Sequence, residues 1–296
     1  MRGKRCLWAV LAGMAVSACG DSTQPVPLEI PSFLVVGDSG SVSHLYRVQD
    51  SVETQLTGGL WSDFDPAAAA GRIVFTSNRD RNSEIYISDT IAAVSRRITN
   101  SSAEDAHPAL SPDGSTVVFV SNRSGAPRLW SVPAPALDAT TFDVPVALAT
   151  GSAPEIPEGA PAWSPDGSTL AFSSARSGTS QIFTMPAGGG NAVELTTDAG
   201  GAFSPAWSGD GQTIYYLSAA GTVHLRRIMS TGGSATDFAS DSLDLDAPSC
   251  NSTVCIAAEN PAGDRGSILA FPIGGGKGQA ILPRTHNERQ ATILVR

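Results

Sequence analysis

A stretch of 23 residues recurs along this 296-residue chain. Its two clearest copies read PALSPDGSTVVFVSNRSGAPRLW from Pro108 and PAWSPDGSTLAFSSARSGTSQIF from Pro161, and a third begins PAWSGDGQTIYYLS at Pro205. Two degenerate copies start at Pro66 and Pro248, so that successive prolines are 42, 53, 44 and 43 residues apart. A period in this range is typical of an array of similar units, each too small to bury its own apolar face.

Every copy has the same local pattern. A short segment follows the proline and leads into a tight turn, which is Ser-Pro-Asp-Gly at 111–114 and 164–167, where proline suits the second position and glycine the last. An alternating apolar strand comes next, as in TVVFVS at 116–121, and a polar loop, another strand and a Gly-rich turn into a last strand follow. Each unit therefore predicts a four-stranded antiparallel sheet, which at this spacing is the blade of a β-propeller.

The two ends of the chain supply the parts of one further unit. Residues 33–57 match the second, third and fourth strands of the pattern, and Ala291–Val295 matches a first strand. Pairing these ends in one sheet would close the ring and leave fewer exposed sheet edges. We therefore predict an all-β, six-bladed propeller over residues 32–296, in which the N- and C-terminal strands share one blade.

The repeat is similar to that of the TolB-type propellers, whose repeats are also called WD40-like or PD40 repeats. The residues that carry the resemblance are P-A-W-S-P-D-G-S-x-L-A-F-x-S-x-R-x-G, as they stand at 161–178. The resemblance implies the propeller fold and suggests partners among cell-envelope proteins. Such repeats also occur in propellers attached to peptidases and in sugar-degrading lyases, so the function has to be argued from the site itself.

The N-terminal residues predict export. Three basic residues precede a ten-residue apolar run, Leu7–Val16, which is too short to cross a bilayer and has the layout of a secretory signal. The run ends in Val-Ser-Ala-Cys at 16–19, which resembles the bacterial lipobox. We predict a lipoprotein signal peptide over 1–18, a lipidated Cys19 and a flexible tether over 19–31. The alternative is an ordinary signal with a chance cysteine.

This reading places the protein in the cell envelope, anchored by lipid on the periplasmic side of a bacterial membrane or at the cell surface. Removing residues 1–18 lowers the basic residues from 19 to 16 against 28 acidic ones, a net charge of −12. A chain this acidic is a poor partner for nucleic acid or for anionic lipid. We expect membrane contact through the lipid alone, and a monomer.

Two cysteines remain in the exported chain, Cys250 and Cys255. The repeat places them on adjacent strands of one hairpin, with Cys250 in the place of Trp163 and Cys255 in that of Ala171. An exported protein can form disulfides, so we predict a bridge between them. The alternative is a pair of free buried thiols.

Three short motifs point to chemistry that the rest of the sequence does not support. Gly37-Asp38-Ser39 resembles the nucleophile block of GDSL-type esterases, but no Asp lies three residues before any histidine. The GGGKG run at 274–278 lacks the Ser or Thr of a P-loop and occupies the place of a hairpin turn. The acidic DSLDLD run at 241–246 lacks the spacing of a calcium loop. We therefore predict no catalytic residue, cofactor or metal.

Charged residues gather where each inner strand begins. The first strand of a propeller unit lines the central channel, and the loop before it opens at one mouth. Acidic loops precede four of the repeat prolines, and three aligned arginine loops should lie at the same end. The predicted ligand- or partner-binding residues are Asp63, Asp65, Asp105, His107, Glu158, Asp246, Arg79, Arg123 and Arg176. The alternative is that these side chains cap turns and pair with one another.

The sequence thus favours a non-enzymatic, TolB-like scaffold that binds an envelope protein or peptide through the channel mouth. One alternative is an envelope enzyme acting on polysaccharide, like the lyases that use related propellers, or a carbohydrate-binding module. Lyases of that kind need clustered His, Lys or Arg side chains with a metal near the channel, and only His107 is suitably placed. Another alternative is a structural component without a discrete ligand.

Overall fold

The computed structural model describes residues 28–91, 94–219, 221, 223–239, 245–259, 267–282 and 287–294. Within these ranges the chain forms 24 β-strands arranged as six four-stranded antiparallel sheets. No helix of the described part has the length and apolarity that a bilayer crossing requires.

The strands follow the chain in the order that the repeat predicts. The N-terminal strands are β1 (Phe33–Ser39), β2 (Val42–Gln49) and β3 (Val52–Gln55). Blade 1 contains β4 (Asp63–Ala69), β5 (Arg72–Ser77), β6 (Glu84–Asp89) and β7 (Ser95–Arg97). Blade 2 contains β8 (Asp105–Leu110), β9 (Thr116–Ser121), β10 (Arg128–Pro133) and β11 (Val146–Ala147). Blade 3 contains β12 (Glu158–Trp163), β13 (Thr169–Ser174), β14 (Gln181–Pro186) and β15 (Val193–Glu194).

The second half of the ring continues in the same way. Blade 4 contains β16 (Ala202–Trp207), β17 (Thr213–Ser218), β18 (His224–Met229) and β19 (Thr236–Asp237). Blade 5 contains β20 (Leu245–Cys250), β21 (Val254–Glu259), β22 (Ser267–Pro272) and β23 (Gln279–Ala280). The last strand is β24 (Asn287–Ile293).

The ring closes through a sheet that both ends of the chain build. Strand β24 pairs antiparallel with β1, with Ile293 opposite Phe33 and Thr292 opposite Leu34. The order β24-β1-β2-β3 makes blade 6, with β24 as its inner strand. The predicted six blades and the shared closing blade are confirmed. The closing strand begins earlier than predicted, at Asn287, and Val295 lies outside the described residues.

The core lies between the blades. Six clusters of buried apolar side chains each join two neighbouring blades. In strand β9, for example, Val117 and Phe119 pack toward blade 1, whereas Val118 and Val120 pack toward blade 3. Because both faces of a middle strand are buried, its sequence is continuously apolar. This arrangement explains the VVFV, LAF and IYYL runs of the repeat.

Inner strands are also joined by the tryptophans of the repeat. The indole N–H of Trp163 donates to the carbonyl oxygen of Ala109 at 3.1 Å, and that of Trp207 donates to Ala162 at 3.2 Å. Each bond ties one inner strand to the preceding blade. The side chains are therefore fixed at both the apolar ring and the polar nitrogen.

The predicted disulfide between Cys250 and Cys255 is present. The two residues face each other directly across β20 and β21, as Trp163 faces Leu170 in blade 3. The sequence alignment that placed Cys255 level with Ala171 was therefore wrong by one position. The reason is that the hairpin of blade 5 is two residues shorter, which shifts its second strand.

The predicted turns are present as well. In blade 2 the Gly114 amide donates to the Ser111 carbonyl at 2.8 Å, and the Ser111 hydroxyl donates to Asp113 at 2.6 Å. Gly114 has φ 72°, where glycine costs least. In the GGGKG run, the Gly275 amide donates to the Pro272 carbonyl at 2.8 Å. This run is a turn after β22, as predicted.

Candidate functional site: the central channel

The six inner strands enclose a cavity of about 610 Å³ on the axis of the ring. Much of its wall is formed by small or rigid apolar residues, because a proline and an alanine follow one another on most inner strands. The repeat prolines that line it are Pro66, Pro108, Pro161, Pro205 and Pro248. The volume is within the range of ordinary ligand sites, about 300–1,000 Å³.

Each inner strand carries one extra residue at the same level of the channel. The ladder skips from Phe64 to Ala67 in blade 1, and the same shift occurs in every other inner strand. Such a β-bulge bends the strand and re-aims a side chain. The bulge residues whose placement is described all line the cavity; they are Asp65, His107, Ala160, Ser204 and Gln290. We call these five residues the bulge ring.

All five residues of the bulge ring have left-handed backbones, with φ between 43° and 51°. This conformation costs a non-glycine residue about 1–2 kcal/mol. Its repetition around the ring shows that the sheet closure imposes one geometry on every inner strand. The backbone amides of the ring therefore point in equivalent directions around the channel.

Three members of the bulge ring form a continuous polar network. The Gln290 side chain accepts a hydrogen bond from the Asp65 amide at 2.8 Å and donates to the Asp65 carboxylate at 2.6 Å. The same carboxylate accepts from both the backbone amide and Nδ1 of His107, each at 3.2 Å. It also accepts from the Thr76 hydroxyl at 3.2 Å. Both carboxylate oxygens of Asp65 are thus engaged.

These contacts shift the pKa values of Asp65 and His107 in opposite directions. Burial alone would raise the pKa of Asp65, but hydrogen bonds from His107 and Gln290 and the His107 charge lower it. The pKa of His107 is raised, chiefly by its hydrogen bond to Asp65 and against the effect of burial. The negative charges of Asp65 and Asp246 add to that rise. Asp246 lies on β20, in the blade opposite His107.

Six of the predicted site residues form three equivalent ion pairs within blades 1 to 3. In each pair an acid at the start of the inner strand meets an arginine that follows the second strand. The N–O distances are 2.8 Å for Asp63–Arg79, 2.6 Å for Asp105–Arg123 and 2.9 Å for Glu158–Arg176. All three acidic side chains are fully buried.

The arginines of these pairs are held by two further contacts that repeat in each blade. Arg123 donates from Nε to the Ser121 hydroxyl at 2.9 Å, and its guanidinium lies 4.9 Å from the ring centre of Trp130. Arg79 and Arg176 make the same contacts with the equivalent serine and aromatic residues. The Ser-x-Arg of the repeat is thus a structural motif that couples loop, inner strand and third strand. In blade 3 the acid is shared between blades, because Glu158 also accepts from Nε of Arg128 in blade 2 at 3.1 Å.

The sequence left open whether these residues meet a ligand or pair with one another, and the structure shows that these six pair. One oxygen each of Asp63 and Asp105 is buried with no protein partner. Asp65 and His107 reach the channel wall instead. Among the described residues, no three His, Cys, Asp or Glu side chains lie close enough to hold a metal ion. Asp241, Asp244 and Cys19 lie outside those residues.

A second cavity, of about 430 Å³, opens between blades 2 and 3 at the same end of the ring. Its lining includes Glu104, Asn122, Gly159 and Ser173. His107 lines this cavity and the central one. We call this second cavity the mouth groove, because its lining extends from Glu104 at the rim to His107 in the bulge ring.

Sequence reasoning placed Asp65 and His107 near the channel but missed Ala160, Ser204 and Gln290. The signal was present, since four of the five precede a repeat proline and Gln290 holds the same place in the closing strand. A residue before proline is ordinarily extended, so the pattern did not suggest a left-handed bulge. Ala160 and Ser204 are also small residues, and small residues do not by themselves indicate a binding site.

The comparisons with known proteins agree with this architecture. Residues 148–287 match a family model described as the TolB beta propeller domain, PD40. Over blades 3 to 5 the chain is therefore similar to the TolB-type propellers. Over 133 residues it is 30% identical to a TolB homologue from Chlorobaculum tepidum, a match that covers 44% of the chain and 27% of that relative. The match therefore spans about a quarter of the curated relative.

Solved structures show how widely this fold is used. TolB from Acinetobacter baumannii superimposes with a TM-score of 0.72 at 18% identity, covering 88% of this chain and 66% of that one. An oligogalacturonate lyase from Vibrio parahaemolyticus gives a TM-score of 0.55 at 13% identity, covering 86% and 75%. At these identities the likeness concerns the fold alone. The same fold thus occurs in proteins whose functions differ.

Proposed function

We propose that this propeller is a non-enzymatic scaffold that takes an extended segment of another protein into its channel. The observation that carries the proposal is that His107 lines both the mouth groove and the central cavity, so that the two cavities adjoin at the bulge ring. A concave, mostly apolar site with a few fixed polar groups is the usual form of a binding site. The proline and alanine wall offers apolar contact, and the bulge ring offers hydrogen bonds.

The charge that faces such a segment comes from few groups. Asp63 and Asp105 each pair with an arginine of their own blade, whereas Glu158 pairs with Arg176 and also with Arg128 of blade 2. They stabilise the loops and do not present a ring of free carboxylates. Recognition in the channel therefore depends on the bulge ring, with Asp246 opposite. This makes the partner an extended polypeptide with a defined polar group.

Photo-crosslinking tests the proposal. Glu104 is exposed and lines the mouth groove, so a photoreactive residue there should crosslink to one partner in detergent-solubilised envelopes. The matched control is Val193, which is 64% exposed on the outer edge of blade 3. Capture of the same partner from both positions would exclude channel binding, as would capture from Val193 alone.

We further propose that the protein is exported and anchored in the bacterial cell envelope through a lipidated Cys19. The basic start, the short apolar run and the Val-Ser-Ala-Cys sequence support this proposal. A Cys19→Ala variant should move from the membrane fraction to the soluble fraction. Retention of that variant in the membrane would contradict the anchor.

An enzyme acting on polysaccharide is the second candidate. The observation in its favour is the Asp65–His107 contact, because a carboxylate that orients a histidine is a common acid–base arrangement. Incubation with uronic-acid polymers should then release unsaturated products, and an Asp65→Asn variant should release far less. Absence of products from the wild-type protein would leave the scaffold as the function.

A further inference from the structure

We propose that one arc of the bulge ring binds a carboxylate group of the ligand. The arc consists of His107, Ala160 and Ser204, and we call it the open arc. The inference deepens the proposed function, and rests on it, by naming the group that a bound segment presents. It follows from a hydrogen-bond pattern that joins Gln290, Asp65 and His107 and does not continue to Ala160 and Ser204.

The pattern is a hydrogen bond from each bulge amide to the side chain of the preceding bulge residue. The Asp65 amide donates to Oε1 of Gln290 at 2.8 Å, and the His107 amide donates to Oδ2 of Asp65 at 3.2 Å. In both cases an oxygen acceptor from one blade satisfies the bulge amide of the next. Buried amides without such partners are rare in folded proteins.

The pattern stops at the next two blades. Ala160 and Ser204 have the same left-handed backbone, with φ of 43° and 51°, so their amides point the same way around the ring. The bulge residue one blade before Ala160 is His107, whose Nδ1 is already bonded to Asp65. The bulge residue one blade before Ser204 is Ala160, whose methyl group accepts nothing. Neither amide donates to a side chain within the described part of the chain.

Other donors face the same space. The His107 side chain is 52% exposed, and with Nδ1 held by Asp65 its Nε2 is the nitrogen left to meet a ligand. The Ser204 side chain lines the central cavity and makes no hydrogen bond to the described residues. Two amides and a hydroxyl thus border the open arc as donors, and Nε2 of His107 becomes a fourth donor when the imidazole is protonated.

A carboxylate fits this set of donors best. The protein itself supplies the example, since the Asp65 carboxylate binds the next amide and the next imidazole one blade earlier. A carboxylate beside Ala160 would receive the Ser204 amide in the same geometry. Hydrogen bonds to an ionised acceptor are about twice as strong as neutral ones. A cationic group is less suited, because both oxygens of Asp65 are engaged.

The cavity wall around the open arc limits the size of the ligand group that bears the carboxylate. Pro161, Ala162 and Pro205 line the cavity beside it, so the group must sit on a slim aliphatic chain. A polypeptide offers two sources with this shared chemistry, its C-terminus and an Asp or Glu side chain. The mouth groove leads to His107 from outside and gives either one a route.

The test is a titration of the full-length protein with small peptide probes, followed by amide NMR. The probes are acetyl-triglycine with a free carboxylate, acetyl-Gly-Asp-Gly-amide and, as the neutral control, acetyl-Gly-Asn-Gly-amide. We expect at least one acidic probe to shift the Ala160 and Ser204 amide signals, and the neutral probe to leave them unchanged. The first two probes separate the chain terminus from the side chain. Equal shifts with all three probes would overturn the proposal.

Introducing Asn at Ala160 provides the decisive variant, and introducing Asn outside the channel provides its control. Asn tolerates a left-handed backbone, and in Ala160→Asn its side-chain oxygen should accept the Ser204 amide, as Asp65 accepts the His107 amide. Probe affinity should fall about ten-fold or more. The control places the same residue outside the channel: Val193→Asn, on the exposed outer edge of blade 3, should keep wild-type affinity. Unchanged binding in Ala160→Asn would overturn the proposal.

A second variant covers the case in which Ala160→Asn does not fold. Ser204→Ala removes only the hydroxyl, and its probe affinity should fall by about three-fold to ten-fold. Unchanged affinity there would count against the open arc. This inference and the proposed function fail separately. Crosslinking from Glu104 without any carboxylate binding would refute the inference alone, whereas carboxylate binding without a crosslinked partner would refute the function.

Discussion

Gln290 and Asp65 lie 225 residues apart in sequence, and the Gln290 side chain bonds both the amide and the carboxylate of Asp65. The first residue belongs to the closing strand and the second to blade 1. Closure of the ring and formation of the polar network in the channel are therefore one structural event. A chain that did not close would have neither the seam nor this part of the bulge ring.

Replacing Gln290 by Ala should destabilise the protein at the seam. It removes two hydrogen bonds and leaves the Asp65 amide without its acceptor, which costs about 1–3 kcal/mol. The matched control is Gln279→Ala, at an exposed position on β23, where a change within about 0.5 kcal/mol is expected. Denaturant unfolding measures both. Equal, small effects would mean that Gln290 does not support the closure.

The titration of His107 should make stability depend on pH. Its pKa is raised in the folded protein above the ordinary histidine value of about 6.5, so its protonation favours folding. The contribution is full below about pH 6.5 and is lost as the pH rises through the folded pKa. The stability difference between wild type and His107→Asn should shrink over that range.

Asp65 and Asp246 are the charged groups that raise this pKa. NMR titration of the His107 ring in an Asp65→Asn variant should therefore show a lower pKa than in the wild type. A variant in which the His107 pKa is unchanged would contradict the contact between the two side chains.

Breaking one of the buried ion pairs should be costly, and more so at neutral pH. In Arg123→Ala, Asp105 would stay fully buried without its partner, and the loss of such a pair costs about 3–5 kcal/mol. Burial already raises the pKa of Asp105, and Arg123 is among the groups that oppose the rise. The variant can relieve its buried charge by protonation, so its deficit should diminish in acid. Arg81→Ala, at an exposed loop arginine, is the control.

The disulfide should contribute modestly because the loop it closes is short. Replacing both Cys250 and Cys255 by Ala should lower the unfolding free energy by about 2 kcal/mol. Reduction of the wild-type protein should lower Tm in the same direction, and the double variant should not respond to the reductant. A response of the double variant would mean that the reductant acts elsewhere.

The sequence predicted the architecture well because the propeller repeats. Five prolines at near-constant spacing and two half-units at the ends were enough to predict six blades and the shared closing blade. Apolar runs such as VVFV at 117–120 followed from burial on both faces of the middle strands. The disulfide partners followed as well, although a shortened turn moved Cys255 by one position.

The site was less predictable because two of its determinants are not local. Whether Asp105 pairs with Arg123 or faces a ligand depends on the packing of Trp130, and residue spacing alone does not decide it. The left-handed bulges arise from the closure of the ring and contradict the usual preference of a residue before proline. Ala160 matters only because it lacks a hydrogen-bond acceptor that Asp65 supplies elsewhere.

The most direct test of channel binding combines the photoreactive residue at position 104 with Ala160→Asn or with the control Val193→Asn. The partner crosslinked from the mouth groove should be captured by Val193→Asn as efficiently as by the otherwise unchanged protein. Capture should fall about ten-fold in Ala160→Asn, whose side chain occupies the open arc. Equal capture by both variants, with both folded, would show that the partner does not reach the bulge ring.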